Sequence, residues 1–325
     1  MSTGPTKITP RSHAIDQFRG LAIILMVLAN YLAGVVWIPA WLKHAPDIGL
    51  TVIDLIAPFF IFAIGLTYAS SFRRRLGRDG TLLTVQHFVT RWMALIGIGS
   101  ILSAGEIAFH IAGRTVNWGV LQAIGAAGLV TLPLLWLKAG WRMGAGLALL
   151  GIYQVLLDRF WLQTVLAAPH GGLFGSLGWA AMLVISTALA DWYHQETQRP
   201  RWFTLASLLV LAAGFLLAFV SPISKNRVSA SYVLVSTGAS ALLFLCFWFA
   251  SRFERRFPLL EAWGQNPLLL YILHMLLIGL FFLPGVAGWY AQAPFWLVLG
   301  QAAFLLVVLS WIALALKRRD ILIAL

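Results

Sequence analysis

The chain has 325 residues, 60% of them hydrophobic and only 10% charged, with a net charge of +12. Soluble domains run at about 25% charged residues, and so few charges cannot cover a water-soluble fold of this size. The excess of Lys and Arg lies in short segments between apolar runs rather than on one basic face. That distribution argues against a nucleic-acid partner and for a membrane protein held by the positive-inside rule. Fifteen Trp and 21 Phe suit two interfacial aromatic belts.

About 20 mostly polar residues precede the first apolar run, which is too long for the core of a signal peptide and is read as a retained first span. A bilayer core needs about 20 apolar residues per helix, and on that measure the chain predicts ten spans. They run roughly over 21–40, 50–70, 88–112, 118–137, 143–158, 175–191, 203–221, 230–250, 266–284 and 294–316. The connections are short and no internal repeat is evident. The predicted fold is therefore all-α: a polytopic membrane protein forming one domain over 1–325, with an N-terminal segment 1–19, a bundle 20–316 and a tail 317–325. With the N-terminus inside, 18 of the 23 Lys and Arg fall in inner segments and five in outer ones. This bias puts both termini in the cytoplasm. The single cysteine, Cys246, permits no intramolecular disulfide and reads as a small buried hydrophobe.

Polar groups at membrane depth are costly and need a reason. In IDQFRGLAIILMVLANY (15–31), Asp16 and Arg19 share a helical face at the inner mouth, as a local ion pair or as a place for a phosphate-bearing ligand. Asn30 lies deeper, where an amide must find partners. In WLKHAPDIGLTVIDLIAPFFIFAIG (41–65), His44 falls at the outer end of the first span and Asp54 just inside the second. Histidine is the natural proton acceptor near neutral pH, and a nearby carboxylate orients its ring. In span 4, Gln122 falls in the outer half. The outer loop ISKNRVSASYVL (223–234) packs Lys225, Asn226, Arg227, Ser229, Ser231 and Tyr232, a set suited to a hydroxyl-rich or anionic acceptor. In WGQNPLLLYILHML (263–276), Asn266 and His274 lie two turns apart with Tyr271 between them, and His274 falls near the midplane. The inner face carries the basic run RRRLGR (73–78). The chain thus reads as a basic inner mouth facing a hydrogen-bonding region near the outer side. His44, His274 and the acids show no metal-ligand spacing.

At these positions the sequence resembles the catalytic membrane domain of the heparan-α-glucosaminide N-acetyltransferase family. The opening Asp-x-Phe-Arg-Gly motif is Asp16, Phe18, Arg19 and Gly20, followed by Ala29-Asn30-Tyr31. HAPDIGLTVIDL (44–55) matches the family's His-Ala segment, with Pro46 and Asp47 where the family has a Trp. Gly-Val-Leu-Gln stands at 119–122. Lys225, Asn226, Ser231, Tyr232 and Val233 match a fourth motif, and Asn266, Pro267, Tyr271 and His274 a fifth. The five occur in order over 16–274.

The resemblance implies transfer of acetyl from cytosolic acetyl-CoA to a glucosamine-type amine across the membrane. It implies His44 as the essential histidine and Asn30 as the active-site asparagine; the chemistry of these residue types then makes His44 the expected general base, with Asp54 to orient it or bind the acceptor and His274 to shape the thioester chamber. Arg19, Arg73, Arg74, Gln122 and Asn266 are then the donor-binding candidates, and Lys225, Asn226, Ser231 and Tyr232 the acceptor-binding ones. No metal is expected. The partners expected are acetyl-CoA, a sugar acceptor and membrane lipids, with a homodimer left open, in a bacterial inner membrane. Three alternatives stand beside this reading: His44 as an acetyl-carrying nucleophile, O-acylation of cell-wall or exported glycans, and a transporter without chemistry.

Overall fold

The computed structural model describes residues 12–108, 118–195, 200–253 and 255–323, excepting the side chains of 106–108. Every regular element among them is helical. In chain order they are α1 (His13–Leu32), 3₁₀ turns at Ala40–Leu42 and Ile53–Leu55, α2 (Ile56–Ala108), and α3 (Val120–Thr131), which ends in a 3₁₀ turn at Leu132–Trp136. Next come α4 (Ala139–Leu156), a π turn at Leu157–Trp161, α5 (Leu162–Leu166), α6 (Gly172–Gln195), α7 (Arg201–Leu217) and α8 (Ala230–Arg252). The last are α9 (Pro258–Gln265), α10 (Pro267–Phe282) and α11 (Phe295–Arg318).

The first helix differs from its predicted span. It runs 13–32 rather than 21–40. The polar prefix is helical because Ile15, Phe18 and Ala22, spaced three and four apart, bury one face. The stretch after Leu32 leaves the helix where Gly34, Pro39, Pro46 and Gly49 interrupt it. Asn30 therefore lies in the last turn of α1, and His44 sits in a loop well beyond the helix end.

A straight 53-residue α2 would be about 80 Å long, more than twice a bilayer core. Instead it doubles back at Gly80, whose φ of 77° and ψ of 177° only glycine adopts readily. The two limbs then pack antiparallel. Trp92 Nε1 donates to Tyr68 Oη at 2.6 Å, and Phe72 meets Phe88 at 5.9 Å between ring centroids.

Six described helical segments are long and apolar enough to cross a membrane, α2 counting once, and α9 with α10 makes a seventh if that pair, bent by 88°, is one span. Val120–Trp136 and Arg201–Leu217 are apolar but shorter. Each of the ten predicted apolar runs overlaps a helix, although 33–40 of the first run leave α1 and 109–112 of the third lie outside the described residues. The predicted runs 50–70 and 88–112 fall on the two limbs of α2, which count once among those six. The bundle's surface is apolar, with Phe219 90% and Trp311 72% exposed, as lipid contact requires. Cys246 is also exposed, against the expectation of a buried thiol, because it faces outward from α8.

Two features hold the core. Helix α6 is buried on nearly all sides between α2, α3, α4 and α8. Helices α1 and α9 cross in backbone contact: a Cβ on Gly20 would stand 1.9 Å from the Leu260 carbonyl oxygen, and one on Gly264 1.9 Å from that of Asp16. The glycine of the opening motif is thus a packing requirement. Polar contacts collect at two ends of the bundle. One end ties the 33–54 loop to 223–232 and 290–293; the other joins α1, α2, α4, α6, α9 and the segment after α11.

Candidate active site

The loop from Lys43 to Asp54 is organised by one carboxylate. Asp54 is fully buried in the 3₁₀ turn ahead of α2 rather than inside the helix itself. Its Oδ2 accepts from the backbone N–H groups of Thr51 at 3.0 Å and Ala45 at 3.2 Å, and from Thr51 Oγ1 at 3.0 Å. Its Oδ1 lies 2.8 Å from His44 Nδ1. The Thr51 amide bonded to a carboxylate three residues on is half of a capping box, which fixes the entry to the helix. With Nδ1 donating to Asp54, His44 Nε2 is left unprotonated and available. The His44 side chain is 42% exposed while its partner carboxylate is 0% exposed. A half-open imidazole oriented by a buried acid has the form of a general base.

The opposite wall locks this loop in place. Tyr232 Oη donates to the Asp54 carbonyl at 2.6 Å, and Asn226 Nδ2 to the Pro46 carbonyl at 2.6 Å. Gly49 N donates to Ile223 O at 2.8 Å. Asp47 takes Ser224 Oγ at 2.8 Å and the Arg227 Nε at 3.0 Å, and Arg227 Nη2 closes a second bond to it. The bonded Arg227 guanidinium holds the Asp47 carboxyl below the usual carboxylate range. Val228 stands at φ 51°, a rare conformation for a β-branched residue. It is buried against Gly171, Gly175 and Gly178, while Tyr153 Oη grips the neighbouring Arg227 carbonyl at 2.6 Å.

A second pair joins α1 to α10. Asn30 Nδ2 lies 3.0 Å from His274 Nε2. With the amide donating, His274 accepts at Nε2 and its proton sits on Nδ1, which faces the Leu270 and Tyr271 carbonyls of the preceding turn without reaching hydrogen-bond geometry. His274 is fully buried, so it has the place of a structural partner to Asn30. The same amide also faces Met275 Sδ at 3.8 Å, a weak acceptor for its second N–H. Helix α1 also packs on the Ile53–Leu55 turn, which brings Asn30's helix against that of Asp54.

The remaining expected residues divide. Lys225 is buried in the 218–229 loop and Asn226 is bonded across it as above. Ser231 is buried with its Oγ 3.1 Å from Ser229 Oγ, and Tyr232 is buried on Asp54. Gln122 sits in the first turn of α3, where its Nε2 donates to Ser103 at 3.0 Å and Oε1 has no partner among the described residues. Arg19 bonds Asp16 at 3.4 Å and the Gly264 carbonyl at 3.2 Å, so the local ion pair is realised. Arg73 donates to Asp191 at 2.8 Å, sharing that carboxylate with buried Arg142, and Arg74 is exposed. Asn266 sits at the α9–α10 bend, where Nδ2 donates to Ile321 O at 3.0 Å and Oδ1 accepts from Ile323 N at 2.7 Å. Thr51 and Asp47 are organising residues to which sequence reasoning gave no role, and Arg227, placed in the polar set of the 223–234 loop, instead bonds Asp47. Thr51-x-x-Asp54 was the available signal.

These helices and their apolar surface define a multi-pass membrane protein. The chain belongs to the heparan-alpha-glucosaminide N-acetyltransferase catalytic family, whose model matches residues 11–204. It is 48% identical over 58 residues to a human heparan-alpha-glucosaminide N-acetyltransferase, covering 18% of this chain and 8% of that protein. It is 40% identical over 131 residues to the mouse protein of that name, covering 38% of this chain and 19% of the other. The matched stretches thus span under a fifth of those relatives. Asn30, His44, Asp54 and Gln122 lie inside the family match; the 225–232 and 266–274 motifs lie beyond it.

Proposed function

We propose that the protein is a transmembrane acetyltransferase that moves acetyl from acetyl-CoA at the inner face to an amino sugar at the other, with His44 as general base. The observation that carries this reading is the His44–Asp54 pair, with Nε2 of His44 available, in a member of an N-acetyltransferase family. The acceptor amine attacks the thioester carbonyl carbon as His44 Nε2 takes its proton. The C–N bond forms and the carbonyl oxygen becomes an oxyanion, to which the second N–H of Asn30 donates in place of its weak contact with Met275 Sδ. Collapse breaks the C–S bond, and the departing thiolate receives the proton from His44. General-base help is worth about 10²–10⁴-fold, and one oxyanion donor about 3–4 kcal/mol.

Asp54 holds the tautomer, and His274 aims the Asn30 amide. Lys225 and Asn226 meet the acceptor at the outer loop, which Ser231 and Tyr232 brace from within. Arg74 and Gln122 stand on the donor side, which Arg19, Arg73 and Asn266 brace through their bonds to protein groups. A native membrane orientation with both termini in the cytoplasm follows the charge bias of the loops.

The test is acceptor profiling. Purified protein receives acetyl-CoA with glucosamine, other amino sugars or hydroxyl-only glycans, while free thiol and product mass are followed. An N-acetylated amino sugar with stoichiometric thiol supports the reading. Thiol release only with hydroxyl acceptors would make the enzyme an O-acyltransferase, and no release with any acceptor would remove the enzyme reading.

A further inference from the structure

The donor's charged end has to be held somewhere at the inner face, and several of the cations expected there already bond protein groups. Arg19 bonds Asp16 and Gly264; Arg73 and Arg142 converge on Asp191; Arg75 and Arg78 both reach Asp79, at 3.0 and 2.7 Å. Lys317 bonds Glu261 at 2.8 Å. Anions bind where guanidinium donors stay available, since the planar fork matches phosphate oxygens.

A cavity of about 250 Å³ meets that condition. It is lined by His13, Ser251, Arg255 and Arg256. Arg255 and Arg256 make no side-chain ion pair among the described residues. His13 opens α1, a helix N-terminus whose dipole favours negative charge. Its Nδ1 is 3.1 Å from Glu261, whose charge is met by Lys317 and by Gln17 at 3.1 Å, so that carboxylate does not claim the two arginines. The same helix carries Asn30, 17 residues further on and about 26 Å along its axis. One helix thereby joins this cavity to the candidate active site.

We propose that this cavity binds a phosphoryl group, namely the phosphorylated nucleotide end of the CoA donor, through Arg255 and Arg256. The inference rests on the acetyltransferase reading. Neither arginine lies in the family match, which ends at 204.

The experiment uses the full chain in neutral-lipid nanodiscs, as wild type, R255A/R256A and R255K/R256K. Initial rates are measured with acetyl-CoA and with S-acetylpantetheine, which lacks the nucleotide, and CoA binding is measured by calorimetry. The expected result is a rise of about tenfold or more in KM for acetyl-CoA in the alanine pair. Its kcat stays within twofold, its KM for S-acetylpantetheine is unchanged, and the lysine pair is partly restored. Normal wild-type turnover with equal effects on both donors, or none, would overturn the inference and leave the enzyme reading intact. A variant that keeps its KM but loses a response to added phosphatidylglycerol would make the cavity a lipid-headgroup site and overturn the donor assignment. A wild type with neither turnover nor CoA binding would take the inference down together with the reading beneath it.

Discussion

Replacing Asp54 by Asn separates the carboxylate's catalytic part from its structural one. Oδ2 receives three donors, from Thr51 N, Thr51 Oγ1 and Ala45 N, while Oδ1 faces only His44. An asparagine therefore turns its oxygen to the three donors and its NH₂ to the histidine. His44 Nδ1 then has to accept, and the ring proton moves to Nε2, the nitrogen that must be basic. The loss should approach the whole general-base contribution, about 10²–10⁴-fold in kcat, or about 3–5 kcal/mol at 1.36 kcal/mol per decade. The fold should hold, because three of the four bonds keep an acceptor. D54A removes all four and leaves two part-buried N–H groups, of Ala45 and Thr51, without their acceptor, at up to about 1–3 kcal/mol each. Thiol release and thermal unfolding in one detergent read both quantities. An asparagine variant within threefold of wild-type kcat would refute the orienting role. So would equal drops in Tm for Asn and Ala, which would make Asp54 a structural residue alone.

Three further outcomes follow from the geometry. N30A and H274A should each lower kcat, and in a double-mutant cycle on stability the pair should show coupling of about 0.5–3 kcal/mol; strict additivity would mean that the 3.0 Å contact does nothing. G80A meets no atom within 4 Å, so its cost is backbone strain alone, about 1–3 kcal/mol, visible as a lower Tm; an unchanged Tm would remove the tight reversal of α2. The Asp47–Arg227 bond is partly exposed and should be worth about 1 kcal/mol or less. Because Arg227 lowers the Asp47 carboxyl, that stability is present above the ordinary value of 3.8 and is lost as pH falls through the lowered one. Wild type and D47N should therefore differ by a constant amount from pH 5 to 8 and converge in acid; a difference that grows from pH 5 to 8 would contradict the assignment.

The helical class was legible because apolar runs of bilayer length leave few alternatives. The boundaries were less so. Residues 13–20 look polar, yet Asp16, Gln17 and Arg19 find partners at the α1–α9 crossing, and only the tertiary contact makes that stretch buried helix. The runs 50–70 and 88–112 were legible as separate segments, and Gly80 is the residue at which the chain reverses between them. At the site, His44 and Asp54 were legible as a pair because the acid lies ten residues on in a short loop. Asn30 and His274 were each singled out, but their meeting across 244 residues is a product of packing that no local pattern carries. Tyr232 read as an acceptor-binding candidate and is buried instead, since its ring packs edge-on against Trp179 at 5.8 Å and its hydroxyl reaches the Asp54 carbonyl. Asn266 read as a site residue from its motif, whereas the geometry engages both its polar atoms with the backbone of 321–323.

The most direct test of the central claim is thiol release from acetyl-CoA with an amino sugar, wild type against H44A, with folding checked by thermal unfolding. His44 is half exposed and its loss leaves Asp54 three donors, so the variant should fold with nearly unchanged Tm. The account predicts acceptor-dependent release in the wild type and a fall of at least about a hundredfold in the variant. Release that persists in a folded H44A protein would contradict it and move the chemistry away from the histidine–aspartate pair.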